Sequence, residues 1–243
     1  MKNSKVLLAI LLSISFIHVA KAQQSEKQVL KVSYVTNNVS DFMIGMLKKQ
    51  ITDPEKFSGV LNDISKYKMY HSLYHNLKTG ESVFVLDSIH EVDGISTVGN
   101  VNFTIKNKEG VIHGLETFMG KEFSFEGKAN TLKWNITNEK KAINKYKASK
   151  AVLVDNPEIY VWFTKDVPAN AGPYMYSGLP GLILEYNELF QTASASAIQY
   201  QDLSEFNKKY SKFGTKKVKA DETLVSVLSK KLNFKQTAEQ GNN

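Results

Sequence analysis

With 243 residues, 42% of them hydrophobic and 11% aromatic, the chain carries enough apolar material for a single domain with a sizeable core. Its formal charge of +7 comes from 31 basic residues that are all lysine; without arginine it lacks the fork-shaped donor of bidentate phosphate and guanine recognition, which argues against nucleic acid as a partner. The chain has no cysteine, so it holds neither a disulfide framework nor a lipidation site at a processed N-terminus, and its stability has to come from packing.

Lys2 and Lys5 precede an apolar run from Val6 to Val19 that ends in Ala20-Lys21-Ala22, the small-x-small form of a signal-peptidase site. Residues 1–22 are therefore expected to be a signal peptide, with the mature chain starting at Gln23. The run is shorter than the roughly 18 residues of a membrane span, so no stable span is expected after cleavage. The expected location is the periplasm or cell envelope, or outside the cell. Residues 23–235 read as one domain and 236–243 as a disordered tail.

From Gln28 to Thr36 apolar and polar residues alternate, which predicts a first strand. Ser40 and Asp41 can cap a helix through Leu47, and Asp53-Pro54-Glu55 starts a second one with Phe57, Val60, Leu61 and Ile64 on one face. From Tyr67 the period is two, and Lys78-Thr79-Gly80-Glu81 reads as the turn of a hairpin whose return strand is Ser82 to Ile89. Further strands are expected at Val98–Ile105, Gly114–Met119, Lys121–Phe125, Thr131–Thr137, Ala142–Val154, Ile159–Thr164, Leu182–Tyr186 and Thr192–Tyr200. Turn signals such as Asp93-Gly94, Glu109-Gly110 and Asp155-Asn156-Pro157 separate them, and no long helix intervenes to carry parallel crossovers. After Asp202 the pattern is helical again, with Leu224, Val227, Leu228 and Leu232 sharing a face. The fold class is α+β: a curved antiparallel sheet, half-barrel or sandwich-like, with N-terminal and C-terminal flanking helices. The lysine-rich stretches 140–150 and 208–219 read as solvated surface.

Residues that could carry chemistry are scattered. His71 and His75 have the spacing of a two-histidine site on a helix, but on a strand they lie roughly 13 Å apart, too far to share one ion. His90 and His113, with Met43, Met46, Met69, Met119 and Met175, could build an exported copper-type site in three dimensions, although methionine is more often core filling. Ser177 precedes Gly178 without a Gly-x-Ser-x-Gly elbow, so it is a weak candidate nucleophile. Glu116, Glu122, Glu126, Glu185 and Glu188 read as charges on solvent-facing strand positions. No catalytic residue, metal ligand or cofactor is assigned. Trp134 and Trp162 sit in alternating strands, where a large aromatic either anchors the core or offers a platform. Gly172 to Gly181 is different, because two Gly/Pro punctuations hold Tyr174, Tyr176, Leu179 and Pro180 on one rigid path. That loop reads either as a buried plug or as an aromatic surface for a peptide, a glycan or an envelope protein.

The segment Gly178-Leu179-Pro180-Gly181-Leu182-Ile183, with Lys147-Ala148-Ser149-Lys150-Ala151, Tyr160-Val161-Trp162-Phe163-Thr164 and Asp166-Val167-Pro168 before it, resembles the GLPGLI family of exported Bacteroidetes proteins. Upstream, Tyr70 to Tyr74, Lys78 to Ser82, Phe118 to Phe123 and Leu132 to Thr137 are also similar to family segments. The chain departs from the common pattern at Ala148, where many members carry cysteine, and at Pro157-Glu158, where they carry Gly-Arg. The resemblance implies export and a shared fold, and brings no biochemical activity with it. Together these readings make a non-enzymatic binding or assembly module the first expectation, with Trp162, Pro173, Tyr174, Tyr176, Gly178, Leu179, Pro180 and Gly181 as the binding residues. A small exported hydrolase or a copper-type metal-binding protein is the alternative.

Overall fold

Strand β1 (Val29–Asn37) sits in the middle of the sheet, paired antiparallel with strands on both sides. A computed structural model describes residues 27–95, 99–214, 220 and 222–240; the expected leader, Val98 and the last three residues lie outside that range. After β1 come α1 (Asp41–Gln50) and α2 (Pro54–Lys66), both capped as the sequence suggests. Ser40 Oγ accepts from the Met43 N–H, Asp53 Oδ1 accepts from the Lys56 N–H, and Pro54 opens the second helix where its missing N–H costs nothing.

The rest is an antiparallel meander. It runs through β2 (Lys68–Asn76), β3 (Ser82–His90), β4 (Gly99–Lys106), β5 (Val111–Phe118) and β6 (Lys121–Lys128), then β7 (Trp134–Ile143), β8 (Tyr146–Leu153), β9 (Asn156–Thr164), β10 (Leu182–Asn187) and β11 (Thr192–Gln201). Helix α3 (Leu203–Gly214) follows, then the short β12 (Glu222–Thr223), which pairs parallel with β6, and α4 (Leu224–Gln240). Across the sheet the order is β12-β6-β5-β4-β3-β2-β1-β11-β10-β9-β8-β7, one large curved open sheet that does not close into a barrel. Four α-helices flank it among the described residues, so the α+β class stands.

Several boundaries differ from the sequence reading: Thr131, expected to open a strand, ends a 3-10 turn and β7 starts at Trp134, while Asn156 and Pro157, expected in a turn, open β9. Ala142–Val154, expected as one strand, is broken by a turn at Asn144-Lys145 that joins β7 to β8. Asn144 takes φ 52°, a left-handed conformation that asparagine tolerates better than most residues, and its side chain donates to the Ala195 carbonyl. Gln236 to Gln240, placed in the tail from the sequence, continue α4.

Both faces of the central strands are covered over much of their length: β2 is buried continuously from His71 to Asn76 and β3 from Ser82 to Val85. On one face Val29, Val83, Val85, Phe103 and Ile105 pack against Phe206 and Phe213 of α3. On the other, Leu30, Val32, Tyr34, Leu73 and Phe84 meet the long connection between β9 and β10 together with Leu224, Val227 and Leu228 of α4. The curved sheet is thus filled by a loop and a helix, and its two ends carry the openings.

Candidate functional site

The connection from Lys165 to Gly181 is sewn into the interior by backbone bonds. The Leu182 N–H donates to Val167 O, Ile183 N–H to Ala171 O and Gly181 N–H to Leu179 O, while Thr104 Oγ1 donates to the Tyr174 carbonyl from β4. Tyr174 adopts φ 57°, an unfavourable conformation for a large side chain, and its buried ring holds it there. The Tyr174 and Tyr176 rings meet edge to face at 5.6 Å, Phe125 flanks the first, and Trp134 and Tyr186 flank the second. Trp134 Nε1–H also donates to the Ser177 carbonyl.

Each tyrosine hydroxyl ends on a buried carboxylate. Tyr174 donates to Glu116 Oε2, and Tyr176 donates to Glu188 Oε2 at 2.8 Å. Between the two carboxylates sits Lys231 of α4, its Nζ 3.1 Å from Glu188 and 3.5 Å from Glu116, and 5.0 Å from the Tyr174 ring centroid. Glu116 and Glu188 are 1% and 2% exposed, so the expectation of solvent-facing charge is wrong for both. Glu116 follows Ile112 and Gly114 on the inward face of β5, and Glu188 lies in the β10–β11 turn that closes over the interior. Burial pushes the Glu116 carboxyl up, with Lys231 opposing. Burial alone would push Lys231 down, but Glu116 and Glu188 outweigh it and hold the ammonium charged. The two directions are compatible: two carboxylates share one cation, and the surplus negative charge is least comfortable on Glu116, the more distant partner. The space beside them, about 10 Å³, has room for about one water.

At one end of the filled sheet, between the hairpin turns and the loop, lies an open cleft of about 450 Å³. His75 of β2, Lys106 of β4, Lys108, Asn170, Ser177 and Gly178 line it, with Asn130 at its rim. Asn170 Oδ1 accepts the Gly178 N–H at 2.7 Å, which fixes the loop as a wall of the cleft. Lys106 Nζ reaches the Asn170 carbonyl at 3.1 Å. His75 Nδ1 is 2.9 Å from Ser82 Oγ, and the ring is held near a pKa of about 4 by burial and by Lys106, so it is neutral. Ser177 is 5% exposed and its hydroxyl has no hydrogen-bond partner. No bond joins it to His75, so the two do not form a nucleophile–base pair.

A second cleft, about 440 Å³, opens at the other end between α1, β9 and α4. Most of its charged groups have partners: Tyr160 donates to Asp41, Lys235 pairs with Glu158, and Lys150 pairs with Glu139, while Lys49 at the surface takes part in no ion pair among the described residues. The first cleft is the better candidate because a buried hydroxyl on its wall, that of Ser177, is left without a partner.

The predicted site residues separate. Pro173, Tyr174, Tyr176, Leu179 and Gly181 are buried, while Gly178 and Pro180 are exposed. The aromatic side chains therefore form a plug inside the sheet; they do not line an open apolar groove, because the loop turns inward to fill a core the curved sheet cannot fill itself. Trp162 is half-buried on the outer side of β9 with Lys141 Nζ 4.5 Å from its ring centroid. His71 bonds Thr36 and the Val101 carbonyl and stacks on Phe84, and Met69 and Met175 are fully buried. Among the described residues no three histidine, aspartate or glutamate side chains converge as a metal site, and no helix is long and apolar enough to cross a membrane.

A family model described as "Protein of unknown function (Porph_ging)", from a Bacteroidetes-associated family, matches residues 154–185, a stretch that includes the Gly-Leu-Pro-Gly-Leu-Ile segment. No curated protein matches the sequence. Among solved structures the fold is similar to PNGF-II, at TM-scores of 0.46 and 0.44 in two crystal forms with 11% and 12% identity, covering 86% and 82% of this chain. The chain spans about a third of the length of PNGF-II. It is also similar to an uncharacterized conserved protein from Thermus thermophilus, at a TM-score of 0.37 and 8% identity, covering 84% of this chain and 96% of that one.

Proposed function

We propose that this is an exported, non-enzymatic binding protein of the cell envelope, of the GLPGLI type, which holds its ligand in the cleft beside Ser177 and Gly178. The observation that carries the reading is a buried serine hydroxyl with no partner on the wall of an open cleft of about 450 Å³, a volume in the range of small-molecule sites. A buried polar group left unsatisfied costs free energy, and a ligand acceptor or donor is what would recover it. The occupant is a glycan, a peptide or an exposed end of an envelope protein.

The hydrolase alternative would draw on Glu116 and Glu188, but both are committed to Lys231 and to tyrosine hydroxyls, and no substrate fits in about 10 Å³. The copper alternative would need the histidines gathered, but no three histidine, aspartate or glutamate side chains converge among the described residues, and His71 and His75 have separate partners.

Two measurements test the reading. N-terminal sequencing of protein recovered from the native envelope is expected to begin at Gln23; a chain that retains Met1 would remove the export claim. Asn130→Trp places an indole at the exposed rim of the cleft and should leave the melting temperature within about 1 °C of wild type, as for a surface change. Native mass spectrometry of the two proteins from the same envelope extract should show small molecules retained by wild type and lost from the variant. Equal retention by both would place the ligand elsewhere.

A further inference from the structure

We infer that the ligand of this cleft carries an anionic oxygen group, a phosphate or a carboxylate, and that Lys106 and the Ser177 hydroxyl hold it. The inference rests on the reading of the cleft as a binding site and adds the chemistry of what enters. Lysines 106 and 108 line the cleft, and among the described residues no aspartate or glutamate does. Glu81 is not among the lining residues, and it interacts with the Tyr210 hydroxyl.

Buried Lys231 and half-buried Lys106 are treated differently. Lys231 meets two carboxylates, the usual way to keep an ammonium in the interior. Lys106 is half-buried, its contact is the neutral Asn170 carbonyl, and it takes part in no ion pair within 4 Å among the described residues. Burial pushes its ammonium down from the ordinary lysine range with no carboxylate acting against it. His75 beside it is neutral and supplies no negative charge. An oxyanion would supply the missing counter-charge, and its oxygen would accept the unpartnered Ser177 O–H. Lys108, exposed at the mouth, adds attraction at longer range that salt screens.

Calorimetric titration of the purified protein at low ionic strength, with glucose 6-phosphate, glucuronate, glucose and glucosamine as probes, tests this. One or both anionic sugars should bind at least about tenfold more tightly than glucose, the worth of one charge-assisted hydrogen bond, and glucosamine should bind no better than glucose. Preference for glucose 6-phosphate would assign the anion as phosphate, and preference for glucuronate as carboxylate. Lys106→Met keeps the aliphatic stem and should weaken the anion about tenfold or more; Lys108→Gln should weaken it about twofold, with a smaller salt dependence. Without ligand, Lys106→Met should melt no lower than wild type, because it removes an uncompensated charge. Glucose binding as tightly as the anions, no response to any anionic probe in the millimolar range, or a Lys106→Met variant that binds normally or melts well below wild type would each overturn the inference. The broader reading of the cleft as a binding site fails separately, if Asn130→Trp leaves the native ligand in place.

Discussion

Gly181→Val is expected to leave little or no folded, soluble protein, and Gly181→Ala to be nearly as damaging. A Cβ at this position would lie 2.0 Å from the Thr164 carbonyl oxygen and 2.7 Å from its carbon. These are backbone atoms of β9, so no side chain can rotate aside, and relief requires β9 and the start of β10 to part. That separation would break the bonds by which Leu182 and Ile183 hold the loop to Val167 and Ala171, and with them the seating of Tyr174 and Tyr176 in the core. Gly178 is the internal control. Its φ is +92°, yet the nearest atom a Cβ would meet is Cδ1 of Trp134 at 3.9 Å, so Gly178→Ala pays only the left-handed backbone cost of about 1–2 kcal/mol. Soluble yield and melting temperature of the three variants check the ordering. Wild-type values for Gly181→Val would mean that the β9–β10 corner does not need the close approach.

Much of the fold can be read from local sequence, because local physics decides it. Two-residue alternation and glycine or Asx turns mark the hairpins, and the Ser40 and Asp53-Pro54 caps mark the first two helices. The turn at Asn144-Lys145 was not marked: lysine-rich flanks hide the break, and the conformation is carried by one asparagine. Which way the aromatic loop faces is also not local. Tyr174 and Tyr176 would read the same on a groove wall, and their burial follows from a sheet that curves without closing and leaves a core to be filled. The cleft is harder still, because His75, Lys106 and Ser177 come from β2, β4 and the β9–β10 connection. One signal was available. Lys231 falls three residues after Leu228 on the apolar stripe of α4, beside Leu224 and Val227, and a lysine there has either to snorkel or to find buried acids. On β5 the inward positions Ile112 and Gly114 lead to Glu116, so the same reasoning could have paired the two.

That pairing sets the second large effect: Lys231→Ala should destabilise the protein by about 3–5 kcal/mol, the cost of stranding a buried charge by removing its partner. In a chain of this size that is a fall in melting temperature of roughly 6–20 °C. The two carboxylates should not be equivalent. Glu188 is the closer partner of Lys231 at 3.1 Å and also accepts from Tyr176, whereas Glu116 lies 3.5 Å away and carries the surplus charge of a two-acid, one-base cluster. Glu116→Gln keeps an acceptor for the Tyr174 hydroxyl and leaves one acid for one base, so it should shift stability by about 1 kcal/mol or less; Glu188→Gln should cost more. The pH dependence separates this electrostatic account from simple loss of packing. The Glu116 carboxyl is already raised by burial above its ordinary 4.5, and Lys231 is the main force holding it down. With Lys231 removed the folded carboxyl binds its proton more tightly still, while in the unfolded chain it titrates near the ordinary value. Between those two values the folded state holds a proton that the unfolded state lacks, so the variant loses stability as pH rises through the window and regains it as pH falls. The gap in melting temperature between wild type and Lys231→Ala should therefore narrow as the pH is lowered from neutrality towards about 4.5. A gap that stays constant, or widens on acidification, would mean that the lysine acts through its packed stem rather than through its charge.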